Sequence, residues 1–351
     1  MKISRNYISK RFWNNKTVLI TGINGFIGGN LAKLLSDLGA NIIGISNSRN
    51  KNKFLKYEKL DNKIIFKKID LRNFKSINML VQKNKIDICI HLAAQVDVNI
   101  AKTDPLTTFE SNIVGTFNLL ESLRIKKDIK SIIIASSDKS YGEYPLNELP
   151  YKETYDLRPI YPYDVSKACG DLISRSYASN LFNMPIIITR FANIYGPGQL
   201  NFTALIPDCI LGNLSLRKFI PRSNGKNKRD FLFVNDVCNL YACLSYNLYK
   251  NNDLKGEIFN AGTKHGYTVD TIVKKICKQM NNDNLYMKIK DEFRKQKTIG
   301  EIQHQFMTYD KLQKYFNWKP EFSLEEGLSI TIDWYKKFFY KYDYKLFMGR
   351  K

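Results

Sequence analysis

The stretch TVLITGINGFIGG, Thr17 to Gly29, constrains this chain more than any other. A short β-branched run, Thr17 to Thr21, reads as a buried strand. Glycines follow at Gly22, Gly25 and Gly28, and apolar residues at helical spacing come next, stopped by Gly39. Glycines placed this way allow a tight turn and let backbone N–H groups and a helix N-terminus approach a pyrophosphate. The spacing alone is weak and equally describes a plain tight turn. Its position between a strand and a helix makes it a dinucleotide-binding pattern, with Gly22, Asn24, Gly25, Phe26, Ile27 and Gly28 as the cradle.

The rest of the chain repeats the alternation. Further strands are expected at 41–45, 64–69, 86–93, 132–135 and 186–189, and helices at 30–38, 76–82, 109–123 and 166–181. Continuous apolar strands alternating with helices argue an α/β fold: a Rossmann-type, doubly wound parallel sheet covered on both faces. After Phe191 the pattern turns irregular. We expect residues 1–190 to form the dinucleotide-binding domain, rejoined by about 229–262. Residues 191–228 and 263–351 would form a smaller, irregular substrate-binding domain.

An acidic residue is usual about 20 residues past the glycines, where it reads the ribose. Here Ser46-Asn47-Ser48-Arg49 stands instead, and no acid precedes Glu58. Ser48 and Arg49 suit a 2′-phosphate, which favours NADP over NAD, although Arg49 is also compatible with a solvated charge. Asp70 and Leu71 follow the third strand, placed to flank the adenine; a helix cap is the plainer role for Asp70.

The net charge is +22, from 55 Lys plus Arg against 33 Asp plus Glu. Such an excess suits nucleic acid or phosphorylated substrates. It is scattered among Asn and Ile along the whole chain, not gathered into an arm, so nucleic-acid binding is not expected. The six cysteines form no CxxC pair, and the three histidines are dispersed; neither a disulfide framework nor a metal site is expected. The N-terminus lacks a signal peptide's apolar stretch, and no segment has membrane-spanning length. A cytoplasmic protein without membrane attachment is the expectation. The aromatic and basic C-terminus, residues 335–351, is expected to be a packed helix with a frayed tail.

Tyr163 and Lys167 lie four residues apart in YPYDVSK, so both side chains share one helix face. An ammonium beside a phenol favours the phenolate, and a nicotinamide cation would favour it further. Tyr163 can then take a hydroxyl proton while hydride leaves the same carbon. Ser137 would hydrogen-bond the same substrate oxygen.

TGxxGxxG, HLAA at 91–94, Ser137, the Tyr163/Lys167 pair and RFANIYGPG at 190–198 together resemble the extended short-chain dehydrogenase/reductase family. The resemblance runs from about Phe12 to Tyr335. It implies a tightly bound NAD(P)⁺ that is regenerated each turnover, a nucleotide-sugar substrate and a homodimer. It also implies Leu92, Ala93 and Ala94 against the cofactor, with Gln95, Asn193, Leu205 and Arg229 toward the substrate. Arg229 suits diphosphate because a guanidinium binds phosphate oxygens bidentately.

Ser137-Asp138-Lys139 narrows the resemblance. Family 4-epimerases have small or neutral residues after this serine, whereas 4,6-dehydratases carry an acid and a base. The Ser-Asp-Lys run is most similar to CDP-glucose 4,6-dehydratases, enzymes of deoxysugar and surface-polysaccharide synthesis. Asp138 would protonate the departing C6 hydroxyl and Lys139 would take the C5 proton. VDVNIAK at 96–102 lacks the arginines usual in that subfamily, which leaves the nucleotide open. Two alternatives stand beside this one: a 4-epimerase or other oxidoreductase on the same scaffold, and a non-catalytic nucleic-acid-binding or scaffold protein.

Overall fold

The structure, a computed structural model, describes residues 6–48, 52–215, 218–296, 302–343 and 345. Seven strands form one sheet: β1 Thr17–Thr21, β2 Asn41–Ser46, β3 Ile64–Lys68, β4 Ile88–His91, β5 Ser131–Ala135, β6 Ile186–Phe191 and β7 Ile258–Ala261. Their order is β7-β6-β5-β4-β1-β2-β3, and every pair is parallel. The fold is the expected α/β doubly wound sheet.

Successive side chains of a strand point to opposite faces, and β1 uses this fully. Val18 and Ile20 enter one apolar cluster, with Leu31 and Leu35 of helix Phe26–Asp37 and the buried face of helix Val234–Lys250. Leu19 enters the other cluster, with Leu80 of helix Phe74–Lys83 and Leu119 and Leu123 of helix Gly115–Lys126. Burial on both faces explains why these strands read as unbroken apolar runs.

The strand order reverses between β1 and β4. A crevice therefore opens beyond their carboxyl ends, where ligands bind in open α/β sheets. Gly22 follows β1 and Leu92 follows β4, so both expected cofactor segments meet at that point.

Helix starts lie earlier than periodicity indicates. The first begins at Phe26, with Gly25 as N-cap. The helix bearing Tyr163 begins at Pro162, not at Ser166, because proline is suited to the first helical position. The long helix expected from Phe109 belongs to a path that Asp104 caps at Pro105 and that runs to Lys126, with one π-turn at Glu110–Val114.

Outside the large sheet, Asn193–Tyr195 pairs with Phe231–Phe233. Lys228–Arg229 pairs with both Tyr267–Thr268 and His304–Gln305. A third apolar cluster joins helices Leu205–Leu214, Val269–Gln279, Asp283–Lys295 and Leu324–Lys341. The last of these starts on a Ser323/Glu326 capping box and buries Tyr335 and Phe338. Trp334 and Phe338 pack on Tyr57 of the short helix after β2, tying the C-terminal helix back to the large sheet.

Candidate active site

The crevice opens into a cavity of about 1050 Å³. At its floor, Gly22 has φ +71°, and a Cβ there would lie 2.8 Å from Ala93 N. A Cβ on Gly28 would lie 2.3 Å from the Gly22 carbonyl oxygen. Only glycine allows this close passage of turn, helix and post-β4 segment. The N-terminus of helix Phe26–Asp37 carries no acidic residue in its first turn and no side-chain cap, so its N–H groups face the cavity without a local anion. This geometry fits a dinucleotide pyrophosphate. Gly28→Ala is expected to push backbone against backbone, costing about 1–3 kcal/mol. Dinucleotide affinity should fall about 10- to 100-fold. Unchanged affinity in a fluorescence titration would contradict that use of the turn.

Asn24 reaches across the turn. Its amide donates to Ser46 Oγ at 3.2 Å, and its side-chain oxygen accepts from Asn52 N at 3.1 Å. Ser46, Asn47, Ser48 and Asn52 line the cavity at the end of β2. Arg49 lies outside the described residues. Asp70 and Leu71 also line the cavity. Asp70 is held by the Arg72 guanidinium at 2.7 Å, which lowers its carboxyl below the ordinary value. It does not cap the next helix; Asn73 does, accepting from Ser76 N at 3.0 Å.

The catalytic candidates gather at the end of β5. After Ala135 the chain enters a short 3₁₀ turn, Asp138–Tyr141, capped by Ser137, whose hydroxyl accepts from Lys139 N at 3.2 Å. The same hydroxyl donates to Asp138 Oδ1 at 3.1 Å. Asp138 is buried, and its Oδ2 has no hydrogen-bond partner. Burial raises its carboxyl above the ordinary range, against the opposing pull of Lys139, Ser137 and Arg229. Lys139 Nζ donates to Gln305 Oε1 at 3.1 Å.

A buried ion pair braces this turn from behind. Arg190 grips Asp171 through Nε at 2.8 Å and Nη2 at 2.9 Å, and donates to the Tyr141 hydroxyl at 2.9 Å. Tyr141 in turn donates to Asn260 of β7 at 2.8 Å. Arg190, the first residue of RFANIYGPG, is thus a brace that joins β6, β7 and the helix of Tyr163.

Tyr163 and Lys167 sit in the first turns of helix Pro162–Ala178, and both line the cavity. Burial pushes Lys167 down to about 8. Its Nζ donates to the Ala135 carbonyl at 2.5 Å. Tyr163 is pushed up rather than down, chiefly by burial and then by the Asp138 and Asp164 carboxylates, with a hydrogen bond to Ser137 opposing them. Among the chain's own groups, burial thus outweighs any lowering by Lys167.

The family described as GDP-mannose 4,6 dehydratase matches this chain over residues 19–331. The chain belongs to that family. It is an extended short-chain dehydrogenase/reductase, as the motifs indicate. The chain is 29% identical to a putative UDP-glucose 4-epimerase of Methanocaldococcus jannaschii, covering 91% of this chain and 98% of that protein. It is 25% identical to the CDP-glucose 4,6-dehydratase of Salmonella typhimurium, over 94% and 93% of the two chains. Among solved structures, a dTDP-glucose 4,6-dehydratase of Bacillus anthracis in complex with NAD superposes with a TM-score of 0.78 at 25% identity, over 92% and 97%. Epimerases and dehydratases of the family are thus equally close, and overall similarity does not choose between them.

Among the described residues, every cofactor and substrate candidate lines the one cavity: Leu92, Ala93, Ala94, Gln95, Asn193, Leu205 and Arg229 join the groups above. Gln95 is largely committed to its own loop. Its amide donates to Asp97 O and Thr108 Oγ1, and its oxygen accepts from Asp97 N. Asn193 donates to the Asp230 carbonyl at 3.3 Å. Arg229 donates to the carbonyls of Lys228 and Gln303. His91 is structural, fixed between Thr21 at 2.7 Å and Thr116 at 2.9 Å, and burial pushes it down to about 3.

Sequence reasoning missed four site residues. Asp164, buried beside Tyr163, is raised to about 6 by burial. Asp230, wholly buried, is raised to about 7 by burial while it accepts from Thr263 and Met307. Gln305 meets Lys139, and Arg222 lines the cavity. Asp164 and Asp230 directly follow Tyr163 and Arg229, which is the only local signal they give. The described residues hold no group of three or more His, Cys, Asp or Glu able to bind a metal ion. No described helix is long and apolar enough to cross a membrane.

Proposed function

We propose that the chain is a nucleotide-sugar 4,6-dehydratase, converting a CDP-glucose-like NDP-hexose to the NDP-4-keto-6-deoxyhexose and water. The carrying observation is the Asp138/Lys139 pair on the turn after Ser137: a buried carboxyl raised toward its protonated form, beside an amine, both lining the cavity. An epimerase has no use for either.

A nicotinamide dinucleotide, held by the Gly22 to Gly28 turn and by Leu92 to Ala94, would supply the hydride chemistry between sugar C4 and C6. Tyr163 takes the C4 hydroxyl proton, with Ser137 hydrogen-bonded to the same oxygen and Lys167 one helical turn away on the same face. The C4 ketone acidifies C5–H. The Lys139 amine takes that proton, and the C–H electron pair forms the C5=C6 bond. Hydroxide leaves C6 and takes the Asp138 proton as water. Lys139 then returns a proton to C5 as C6 receives hydride. Raising of the Asp138 carboxyl supports its acid role, since only a protonated carboxyl can donate.

Gly22 to Gly28 would hold the pyrophosphate, Asp70 and Leu71 the adenine, and Leu92 to Ala94 the nicotinamide side. Ser48 and the absence of a carboxylate among Ser46, Asn47 and Ser48 favour NADP; mass spectrometry of the co-purified dinucleotide tests this. Residues 191–228 and 263–351 serve as the substrate domain, with Asn193, Leu205 and Arg229 on the nucleotide diphosphate. We also take the chain to be a homodimer in the cytoplasm, free of nucleic acid. Leu106, Phe117 and Leu172, exposed by 67%, 45% and 52% on neighbouring helices, offer an apolar face for a second copy.

A second reading, a 4-epimerase, is favoured by the 29% identity to an epimerase-named relative. Incubation with CDP-, GDP-, dTDP- and UDP-hexoses separates the two. The dehydratase gives a keto-deoxy product absorbing in alkali, without net cofactor consumption. Epimers alone would sink the proposal.

A further inference from the structure

We infer that Gln305 is a positioning residue that holds the Lys139 amine at the sugar C5. The inference rests on the dehydratase reading. Lys139 carries its amine on a flexible four-carbon stem, so its aim depends on what anchors it. The anchor comes from 166 residues away: Gln305 Oε1 accepts from Lys139 Nζ at 3.1 Å.

Gln305 is itself immobile. It is 0% exposed and sits on the short strand His304–Gln305, opposite Arg229. Its carbonyl accepts from Asp230 N at 3.0 Å. On the next residues, Phe306 O accepts from Tyr151 N at 3.0 Å, and Met307 N donates to Asp230 Oδ2 at 3.4 Å. The strand is therefore tied on one side to Arg229 and Asp230, and on the other to Tyr151.

The amide orientation carries the second argument. The amide turns its oxygen toward Lys139, whose Nζ donates to it. That choice leaves Nε2 buried with no hydrogen-bond partner. Buried donors are nearly always satisfied, and an exception calls for a reason. Here the reason is the lysine: the side chain gives up a hydrogen bond at Nε2 to keep its oxygen on Nζ. Gln305 does not line the cavity, so it acts through Lys139 rather than on the sugar. The same strand also pairs with Arg229, so one element aligns the C5 base and a residue of the proposed diphosphate contact.

Gln305→Met removes the acceptor at nearly constant size. In single-turnover mixing with the accepted NDP-hexose, C4 oxidation, read as reduced-cofactor absorbance, should stay within about twofold. Keto-deoxy product formation should fall roughly 10- to 100-fold, the scale of a misplaced catalytic group. The double variant with Lys139→Met should form product no more slowly than Lys139→Met alone. Gln305→Glu keeps size and an acceptor oxygen but holds the amine in its charged form, so it too should oxidise and fail to eliminate.

Product at the wild-type rate in Gln305→Met overturns the inference. So does equal loss of oxidation and elimination together with a lowered melting temperature, which would mark a merely structural residue. Multiplying losses in the double variant would also overturn it. Absence of keto-deoxy product from the unmutated protein is a different result: it removes the dehydratase reading itself.

Discussion

Lys139→Met should leave the first oxidation running and abolish the keto-deoxy product. Methionine matches the length of the stem and lacks the amine. The C4 proton belongs to Tyr163, so the early step needs nothing from Lys139. The C5 proton then has no acceptor, and product formation should drop by about 10²- to 10⁴-fold, the usual worth of a general base. Reduced cofactor should accumulate, because hydride cannot return to a C6 that still bears its hydroxyl. Rapid-mixing absorbance follows the first step and alkaline absorbance the second. Normal product formation in this variant would remove the reason for naming a dehydratase.

Tyr163→Phe should fail earlier. Without the phenol there is no base for the C4 hydroxyl, and oxidation should slow by about 10²- to 10⁴-fold. No reduced cofactor should accumulate, and this distinguishes it from Lys139→Met. The electrostatics add a pH dependence. Burial, above all, raises Tyr163 above its ordinary value. A raised acid gives up its proton only toward higher pH, so the wild-type oxidation rate should climb from neutral into the alkaline range. A flat profile, or full activity in the phenylalanine variant, would show that another group takes that proton.

The two variants mark how unevenly the site was written in the sequence. The glycine turn and the Tyr163/Lys167 pair are local patterns: each lies within one turn or one helix, and spacing alone places its members together. The sheet was legible for the same reason, since burial on both faces leaves continuous apolar runs. The helix starts at Phe26 and Pro162 were read too late because glycine and proline look like breakers until their capping roles are considered.

What was not legible depends on distant pairing. Gln305 meets Lys139 only because a two-residue strand near the C-terminus pairs with Lys228–Arg229. So short a strand has no periodicity to detect. Asp164 reads as an ordinary first-turn acid that complements the helix dipole; its burial is a tertiary fact. The burial of Tyr163, which raises its phenol, is likewise a tertiary fact that the pair's spacing does not carry. Lys167 donates to the Ala135 carbonyl, a contact with the strand end that the helix spacing does not predict.

The central claim is that hydride taken from C4 returns to C6. The most direct measurement uses an accepted NDP-hexose carrying deuterium at C4, with the product examined by NMR. The account predicts a 4-keto-6-deoxy sugar with deuterium in the C6 methyl group. Deuterium retained at C4 of an epimerised sugar with its C6 hydroxyl intact would contradict it.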